Sequence, residues 1–103
     1  MNKRLCTLIA LLVTCASLPA WADPALATSK NCMACHATDK KLVGPAYKDV
    51  AAKYASDGEA VAKLSVKIIK GGVGNWGQIP MPANPQVTQA DAETLAKWIM
   101  STK

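Results

Sequence analysis

The sequence predicts a small all-α domain. Capped segments with helical spacing of their apolar residues recur along the chain, and strand signals are few. The chain has 103 residues, which is enough for one domain at most. Because a domain of this size buries a limited share of its surface, it usually needs a disulfide, a metal or a cofactor to stabilise its core.

Residues 1–22 have the pattern of a secretory signal peptide. Two basic residues precede the apolar run LCTLIALLVT, and SLPAWA supplies the small residues of a cleavage site. The apolar run is too short to span a bilayer as a helix, which argues against an uncleaved membrane anchor. We therefore predict cleavage before Asp23, a mature domain over residues 23–103, export to the periplasm and no stable membrane insertion.

The first two helices follow from proline positions. Asp23 and Pro24 form an N-cap followed by proline at the first helical position, and this pair predicts a helix from Pro24 to His36. The stretch PAYKDVAAKYA predicts a second, short helix that starts near Pro45.

The third and fourth helices follow from capping patterns. Ser56-x-x-Glu59 is a capping-box pattern that predicts the start of the third helix, and Gly71 predicts its end. Thr88-x-x-Asp91 predicts the start of the fourth helix. The apolar stripe of that helix comprises Ala92, Leu95, Trp98 and Ile99.

The segment GGVGNWGQIPMPANPQ joins these two helices. It contains four glycines and three prolines, so we predict a long loop. Loops of this length in a compact domain are usually functional or disordered. Trp76, Ile79 and Met81 argue against disorder, which leaves a functional loop.

The stretch CMACH holds the residues with the most chemical information. The C-x-x-C pair of a redox disulfide normally lies in a βαβ context, which the sequence lacks, and structural zinc needs four N or S ligands, of which the mature chain offers three. The pattern C-x-x-C-H is the signature of covalent haem attachment. Cys32 and Cys35, three positions apart, can form two thioethers, and His36 then lies under the iron. We therefore predict one haem c per chain.

The haem iron needs a sixth ligand or an open site. The candidates are Met33, Met81, Met100 and solvent. Met81 lies 45 residues after His36 between two prolines, which restrict the backbone and can hold a thioether at a fixed point. Met81 is the predicted ligand. The alternative is a core methionine in a rigid turn.

These stretches identify a family. The sequence resembles the small bacterial class I monohaem cytochromes c of the cytochrome c-551 (cytochrome c8) type, through CMACH, LVGPAYKDVAAKY, NWGQIPMPAN and ADAETLAKWIM. The resemblance implies four to five helices around one covalently attached haem. It also implies thioethers from Cys32 and Cys35, with His36 and Met81 as the axial iron ligands.

The resemblance further implies three supporting residues. The carbonyl of Pro45 would accept the ring N–H of His36, which fixes the tautomer and raises the basicity of the ligand. Trp76 would donate its indole N–H to a haem propionate, and Asn84 would form a hydrogen bond near the Met81 sulfur. The simpler alternatives are packing for Trp76 and a turn role for Asn84.

A haem with His and Met ligands has no open position, so we expect a soluble periplasmic one-electron carrier and not an enzyme. The alternatives are a gas-binding or sensing haem protein, in which Met81 dissociates, and a haem subunit of a larger oxidoreductase complex. The resemblance suggests roles in respiration and denitrification, with a membrane quinol-oxidising complex as electron donor. The suggested acceptors are a nitrite reductase, a cytochrome c peroxidase or a terminal oxidase.

Charge gives a further expectation about partners. The mature region has ten Lys and seven Asp or Glu, a formal charge of +3, and its mild basicity without an Arg-rich patch argues against nucleic-acid binding. Lysines in the middle of the chain are expected to form a positive rim that steers a monomeric carrier toward acidic docking patches. The alternative is that they serve solubility alone. These lysines are Lys40, Lys41, Lys48, Lys53, Lys63, Lys67 and Lys70.

Overall fold

The computed structural model describes residues 24–102, so the predicted signal peptide and the N-cap at Asp23 lie outside the described residues. Within this range the chain forms four α-helices and one two-stranded sheet. The mostly helical architecture confirms the predicted fold class. The elements are α1 (Pro24–Ser29), α2 (Tyr47–Lys53), α3 (Ala60–Lys70), β1 (Gly72–Gly74), β2 (Gly77–Met81) and α4 (Gln89–Ser101).

Helix α1 is shorter than predicted. It ends at Ser29 and not at His36, and a separate 3-10 turn spans Cys32–Ala34. The break lies at Asn31, whose φ of 63° belongs to the left-handed region that a right-handed helix cannot contain. Thr28 and Ser29 also donate their hydroxyls to carbonyls of the preceding turn, a local alternative that weakens helix continuation.

Helix α2 begins two residues after Pro45, as predicted. Ala46 precedes it as the N-cap residue in an extended conformation, which is the usual backbone geometry at that position. The helix buries Tyr47, Val50 and Ala51. The inward side of this short helix therefore contributes directly to the core.

The predicted start of α3 was wrong. The helix begins at Ala60, and Ser56 does not cap it. The carboxylate of Asp57 instead accepts a hydrogen bond from the Glu59 backbone N–H at 2.8 Å. The predicted end is confirmed, because Gly71 takes a φ of 69° that L-residues rarely adopt.

Helix α4 begins as predicted. The hydroxyl of Thr88 accepts a hydrogen bond from the Asp91 N–H at 3.1 Å and so satisfies one free donor of the first turn. Three of the four predicted stripe residues, Ala92, Leu95 and Ile99, are buried, and Trp98 is half-buried.

The segment predicted as a loop contains a β-hairpin. Strands β1 and β2 pair antiparallel, with Gly72 opposite Met81 and Gly74 opposite Gly77. Gly74 and Gly77 have φ values of 100° and 106°, which only glycine adopts easily, and they allow the tight reversal. Nearly every residue of the two strands is exposed, so the hairpin stands apart from the helical core.

The core lies where α2 and α3 pack against α4, and α1 also packs on α4. Leu95, at 1% exposure, lies at its centre. The Lys30 ammonium lies 3.4 Å from the Asp91 carboxylate and joins the end of α1 to the start of α4. The helices thus form a scaffold that leaves a space between the core, the 3-10 turn and the hairpin.

Candidate functional site

A cavity of about 270 Å³ occupies this space. Its lining comes from the CMACH motif, the segment 43–47, helices α2, α3 and α4, and the hairpin. Six of the seven predicted site residues line it, and Asn84 lies outside the lining. The six are Cys32, Cys35, His36, Pro45, Trp76 and Met81.

The two cysteines lie on and directly after the 3-10 turn. Both are half-buried free thiols, so they form no disulfide with each other. Burial raises the pKa of the Cys32 thiol, because the thiolate is poorly solvated there. Within residues 24–102 no group of three or more His, Cys, Asp or Glu side chains is placed so that it could hold a metal ion.

The His36 ring is enclosed by the segment Gly44–Tyr47. Its Nδ1 lies 2.8 Å from the Pro45 carbonyl oxygen, so the pairing implied by the resemblance is present. A Cβ on Gly44 would lie 2.8 Å from Nδ1 and 2.9 Å from Nε2 and closer still to Cε1, so only glycine permits this approach. The bond at Nδ1 leaves Nε2 available to a ligand.

An aromatic side chain covers one face of the His36 ring. The centroids of the Tyr47 and His36 rings are 5.0 Å apart, and the rings are inclined by 17°, which is an offset stack. Trp98 contacts Tyr47 edge-on, with centroids 5.1 Å apart and an angle of 74°. Burial raises the pKa of the Tyr47 phenol, which therefore stays neutral.

Met81 ends strand β2 and is half-buried at the cavity. Pro80 and Pro82 flank it, and its carbonyl oxygen lies so close to Gly71 that a Cβ there would overlap it. The other two methionines of residues 24–102, Met33 and Met100, pack against the helical core and do not line the cavity. Met81 is thus the methionine of residues 24–102 that lines the cavity, and its ligation of iron stays a prediction.

Trp76 lies in the turn of the hairpin, with 42% of its surface exposed. The Lys53 ammonium lies 4.5 Å from the centroid of its ring, within the range of a cation–π interaction. The same ammonium donates to the Asn75 carbonyl at 2.8 Å. Lys53 therefore ties the turn of the hairpin to the end of α2.

Asn84 connects the loop after Met81 to α3. Its side-chain amide donates to the Ile68 carbonyl at 2.7 Å, and its backbone N–H donates to the Ile69 carbonyl at 2.9 Å. A longer contact of 3.4 Å joins the amide to the Pro82 carbonyl. These contacts give Asn84 the turn role, and its bond near the Met81 sulfur stays a prediction.

Two lysines and one aspartate lie in the cavity lining. They are Lys41, Lys67 and Asp49, and Lys53 contacts the lining residue Trp76. Lys48 and Lys63 form exposed ion pairs with Asp39 and Asp57, at 2.8 and 2.7 Å. These ion pairs neutralise part of the positive charge, whereas Lys41 and Lys67 have no ion-pair partner among residues 24–102.

The residues present fit a covalently held haem. Two thiols three positions apart, an imidazole with a free Nε2, and a thioether line one cavity together with apolar side chains such as Leu64, Ile68 and Leu95. Thiols form thioethers, whereas imidazole and thioether are common haem-iron ligands. None of the helices within residues 24–102 has the length and apolar character of a membrane span.

Sequence reasoning missed Gly44, Tyr47 and the contact of Lys53 with the hairpin turn. Gly44 directly precedes Pro45, and a glycine beside a proposed hydrogen-bond acceptor is a signal for close approach that could have identified it. Tyr47 and Lys53 lie on one helix, where Tyr47 carried only a helical pattern and Lys53 was expected to contribute only charge. Their contacts depend on the packing of α2, which the local pattern does not reveal.

Comparisons with known proteins agree with this geometry. A family model described as Cytochrome c matches residues 24–103. Cytochrome c-551 of Pseudomonas aeruginosa is 53% identical over 100 residues, which cover 93% of this chain and 95% of that protein. Cytochrome c-551 of Allochromatium vinosum is 52% identical over 81 residues, 79% of this chain and 86% of that protein.

Solved structures are also similar. The crystal structure of wild-type Nitrosomonas europaea cytochrome c552 aligns with a TM-score of 0.77 at 53% identity, covering 79% of this chain and all of that one. The class 1 cytochrome MtoD of Sideroxydans lithotrophicus aligns with a TM-score of 0.65 at 30% identity, covering 79% of this chain and 92% of that one.

Proposed function

The chain belongs to the cytochrome c family, and on this premise we propose that it is a periplasmic one-electron carrier and not an enzyme. It carries haem c, covalently attached and containing iron, and Cys32 and Cys35 fit the attachment motif. This group supplies reversible one-electron chemistry when bound. What this chain adds is the environment that holds the group and limits access to it.

The observation that carries the proposal is the joint presence of His36 and Met81 in one cavity. They lie 45 residues apart in the chain, yet both line the same space. Each has its own support: Pro45 accepts from His36 at 2.8 Å, and Gly71 closely contacts the Met81 carbonyl. Two supported ligands leave no open iron position, which favours a carrier over a gas sensor.

We assign the remaining residues as follows. Cys32 and Cys35 form the thioethers, His36 ligates through Nε2 and Met81 through sulfur. Trp76, which lines the cavity at the hairpin turn, donates to a propionate. The apolar lining disfavours the more charged oxidised site, and a thioether ligand favours ferrous iron, so both act to raise the reduction potential.

The test of ligation compares Met81→Ala with Met100→Ala, since both remove a methionine but Met100 packs against the core. We expect the unmodified protein and Met100→Ala to show a low-spin c-type spectrum with the weak red iron–sulfur band. Met81→Ala is expected to lose that band and to bind carbon monoxide when reduced. Retention of the band in Met81→Ala would contradict the assignment. Carbon monoxide binding by the unmodified protein would favour the sensor.

Partner choice follows from the positive rim. We propose that Lys41 and Lys67 at the cavity help to steer the carrier to acidic patches on redox proteins. Such partners would be a quinol-oxidising complex as donor, and a nitrite reductase, a cytochrome c peroxidase or a terminal oxidase as acceptor.

The steering test uses a matched pair of charge removals. Lys41→Gln alters the rim, whereas Lys97→Gln removes an equal charge from an exposed position on α4. We expect the electron-transfer rate with an acidic redox protein to fall with ionic strength. Lys41→Gln should lower the rate at low salt and flatten this dependence, and Lys97→Gln should leave both near wild type. Equal effects of the two changes would indicate that the lysines serve solubility alone.

A further inference from the structure

The hydrogen bond between His36 and Pro45 does not by itself fix the imidazole. The bond runs outward from Nδ1 to the carbonyl oxygen at 2.8 Å. The covalent link at Cγ and the held Nδ1 set the approximate plane of the ring. A hydrogen bond tolerates a range of angles, however, so small coupled rotations about Cα–Cβ and Cβ–Cγ still tilt the ring without breaking it. Contacts on the faces of the ring must limit this remaining tilt.

Tyr47 makes the contact that opposes this rotation. Its ring lies nearly parallel to the imidazole, inclined by 17°, with centroids 5.0 Å apart. If the imidazole tilted out of its plane, one edge would be driven toward the Tyr47 face. Gly44 lies against the ring as well, since a Cβ there would overlap it. The imidazole is therefore confined by contacts that come from one short segment of chain.

Tyr47 is itself held in place. Only 4% of its surface is exposed, and Trp98 of α4 meets it edge-on at a centroid distance of 5.1 Å. Two rings at 74° restrict each other, because tilting Tyr47 would press it into Trp98. The position of the imidazole plane is thus connected through Tyr47 to helix α4.

We propose that Tyr47 is a positioning residue that fixes the plane of the His36 imidazole, with Trp98 as its support. The proposal rests on the proposed ligation of iron by His36. Once the imidazole is bound, the direction of its plane governs how unpaired spin is distributed over the haem in the oxidised protein. Tyr47 therefore sets an electronic property of the site without contacting the iron.

The experiment uses the oxidised, haem-containing protein and records the proton NMR shifts of the haem methyl groups, which depend on ligand-plane direction. Tyr47→Phe keeps the ring and Tyr47→Leu removes it. We expect the methyl shift pattern of Tyr47→Phe to match wild type. In Tyr47→Leu the spread and order of the shifts should change, while the red iron–sulfur band remains.

Val87→Ala is the control for loss of packing. Val87 is buried to a similar degree, at 4% exposure, but does not line the cavity. It should lower stability and leave the methyl pattern unchanged. A wild-type pattern in Tyr47→Leu, or an altered pattern of the same size in Val87→Ala, overturns the positioning role.

Trp98→Leu tests the positioning role of Tyr47 if the Tyr47→Leu protein does not fold. Loss of the edge contact should let Tyr47 tilt and change the methyl pattern in the same sense by a smaller amount, and an unchanged pattern overturns the proposal. The red iron–sulfur band, recorded in the same samples, tests the proposed ligation separately from the role of Tyr47. If the unmodified protein lacks it, the proposed ligation fails and the role of Tyr47 fails with it. If the band is present in all variants and the pattern never moves, Tyr47 alone is refuted.

Discussion

Replacing Gly44 by alanine should disrupt the site through a single methyl group. A Cβ at this position would lie 2.8 Å from Nδ1 and 2.9 Å from Nε2 of His36, with Cε1 closer still. Carbon atoms normally approach each other to about 3.5–4.0 Å. The imidazole or the backbone of residue 44 must therefore retreat by about 1 Å.

The retreat has an energetic cost that can be estimated. If the ring moves directly away from the Pro45 oxygen, the distance from Nδ1 to that oxygen rises from 2.8 Å to about 3.8 Å, beyond hydrogen-bonding range. The lost bond costs about 0.5–1.5 kcal/mol, and overpacking costs about 1–3 kcal/mol. We expect Gly44→Ala to lower the free energy of unfolding of the haem-containing protein by about 2–4 kcal/mol.

Gly58→Ala is the matched control. A Cβ there would meet nothing within 4 Å, and Gly58 has no left-handed φ. It should be neutral or stabilise by about 0.4–1 kcal/mol through the unfolded chain. Guanidinium unfolding followed by circular dichroism measures both variants. A Gly44→Ala protein within about 0.5 kcal/mol of wild type, with an unchanged haem spectrum, would refute the assignment of Gly44 as a close-approach residue.

Three further changes test individual contacts by urea unfolding. Asn31→Ala should cost about 1–2 kcal/mol because φ is 63° there, and Asn31→Gly should be neutral or stabilising. Thr88→Ala should cost about 1 kcal/mol through loss of the α4 cap, whereas Thr94→Ala, inside the same helix, should cost little. The hydrogen bond from Lys63 lowers the pKa of Asp57, so this carboxylate adds stability above the unfolded pKa of about 3.9. Asp57→Asn should therefore reduce stability at neutral pH, and its difference from wild type should vanish as pH falls through the folded-state pKa. A difference that persists in acid would show that charge is not the cause.

The elements that could be predicted from sequence are those whose ends depend on neighbouring residues. Thr88 caps α4 through a bond to a residue three positions away, and Gly71 ends α3 through its own backbone angle. Both signals are local, so the sequence contains them in full. The predicted start of α3 was wrong because the Asp57 carboxylate accepts a hydrogen bond from the Glu59 N–H two residues on. This local turn keeps residues 57–59 outside the helix.

The hairpin and the short α1 could not be predicted for a different reason. The strands of the hairpin are rich in glycine and contain a proline, a composition typical of loops. They form because Gly74 and Gly77 permit the reversal and because Lys53, on another element, holds the turn. The end of α1 depends on a left-handed Asn31, which asparagine allows but does not require.

The residues of the candidate site also divide into those that the sequence marks by itself and those whose contacts depend on the fold. Cys32, Cys35 and His36 are contiguous and form a motif, and Met81 is marked by its two prolines. Gly44 and Tyr47 required the folded arrangement, because their contacts with His36 follow from the path of the chain between the 3-10 turn and α2.

The contacts that support His36 and those that support Met81 differ in how far apart the contacting residues lie along the chain. The contacts around His36 come from the next few residues, with Pro45 only nine positions away. Met81 instead reaches the cavity through a long segment that Asn84 attaches to α3 across sixteen positions. Closing a short loop costs less entropy than closing a long one, and local contacts form faster. The histidine side should therefore assemble first during folding, and the methionine side should be the last to close and the first to open.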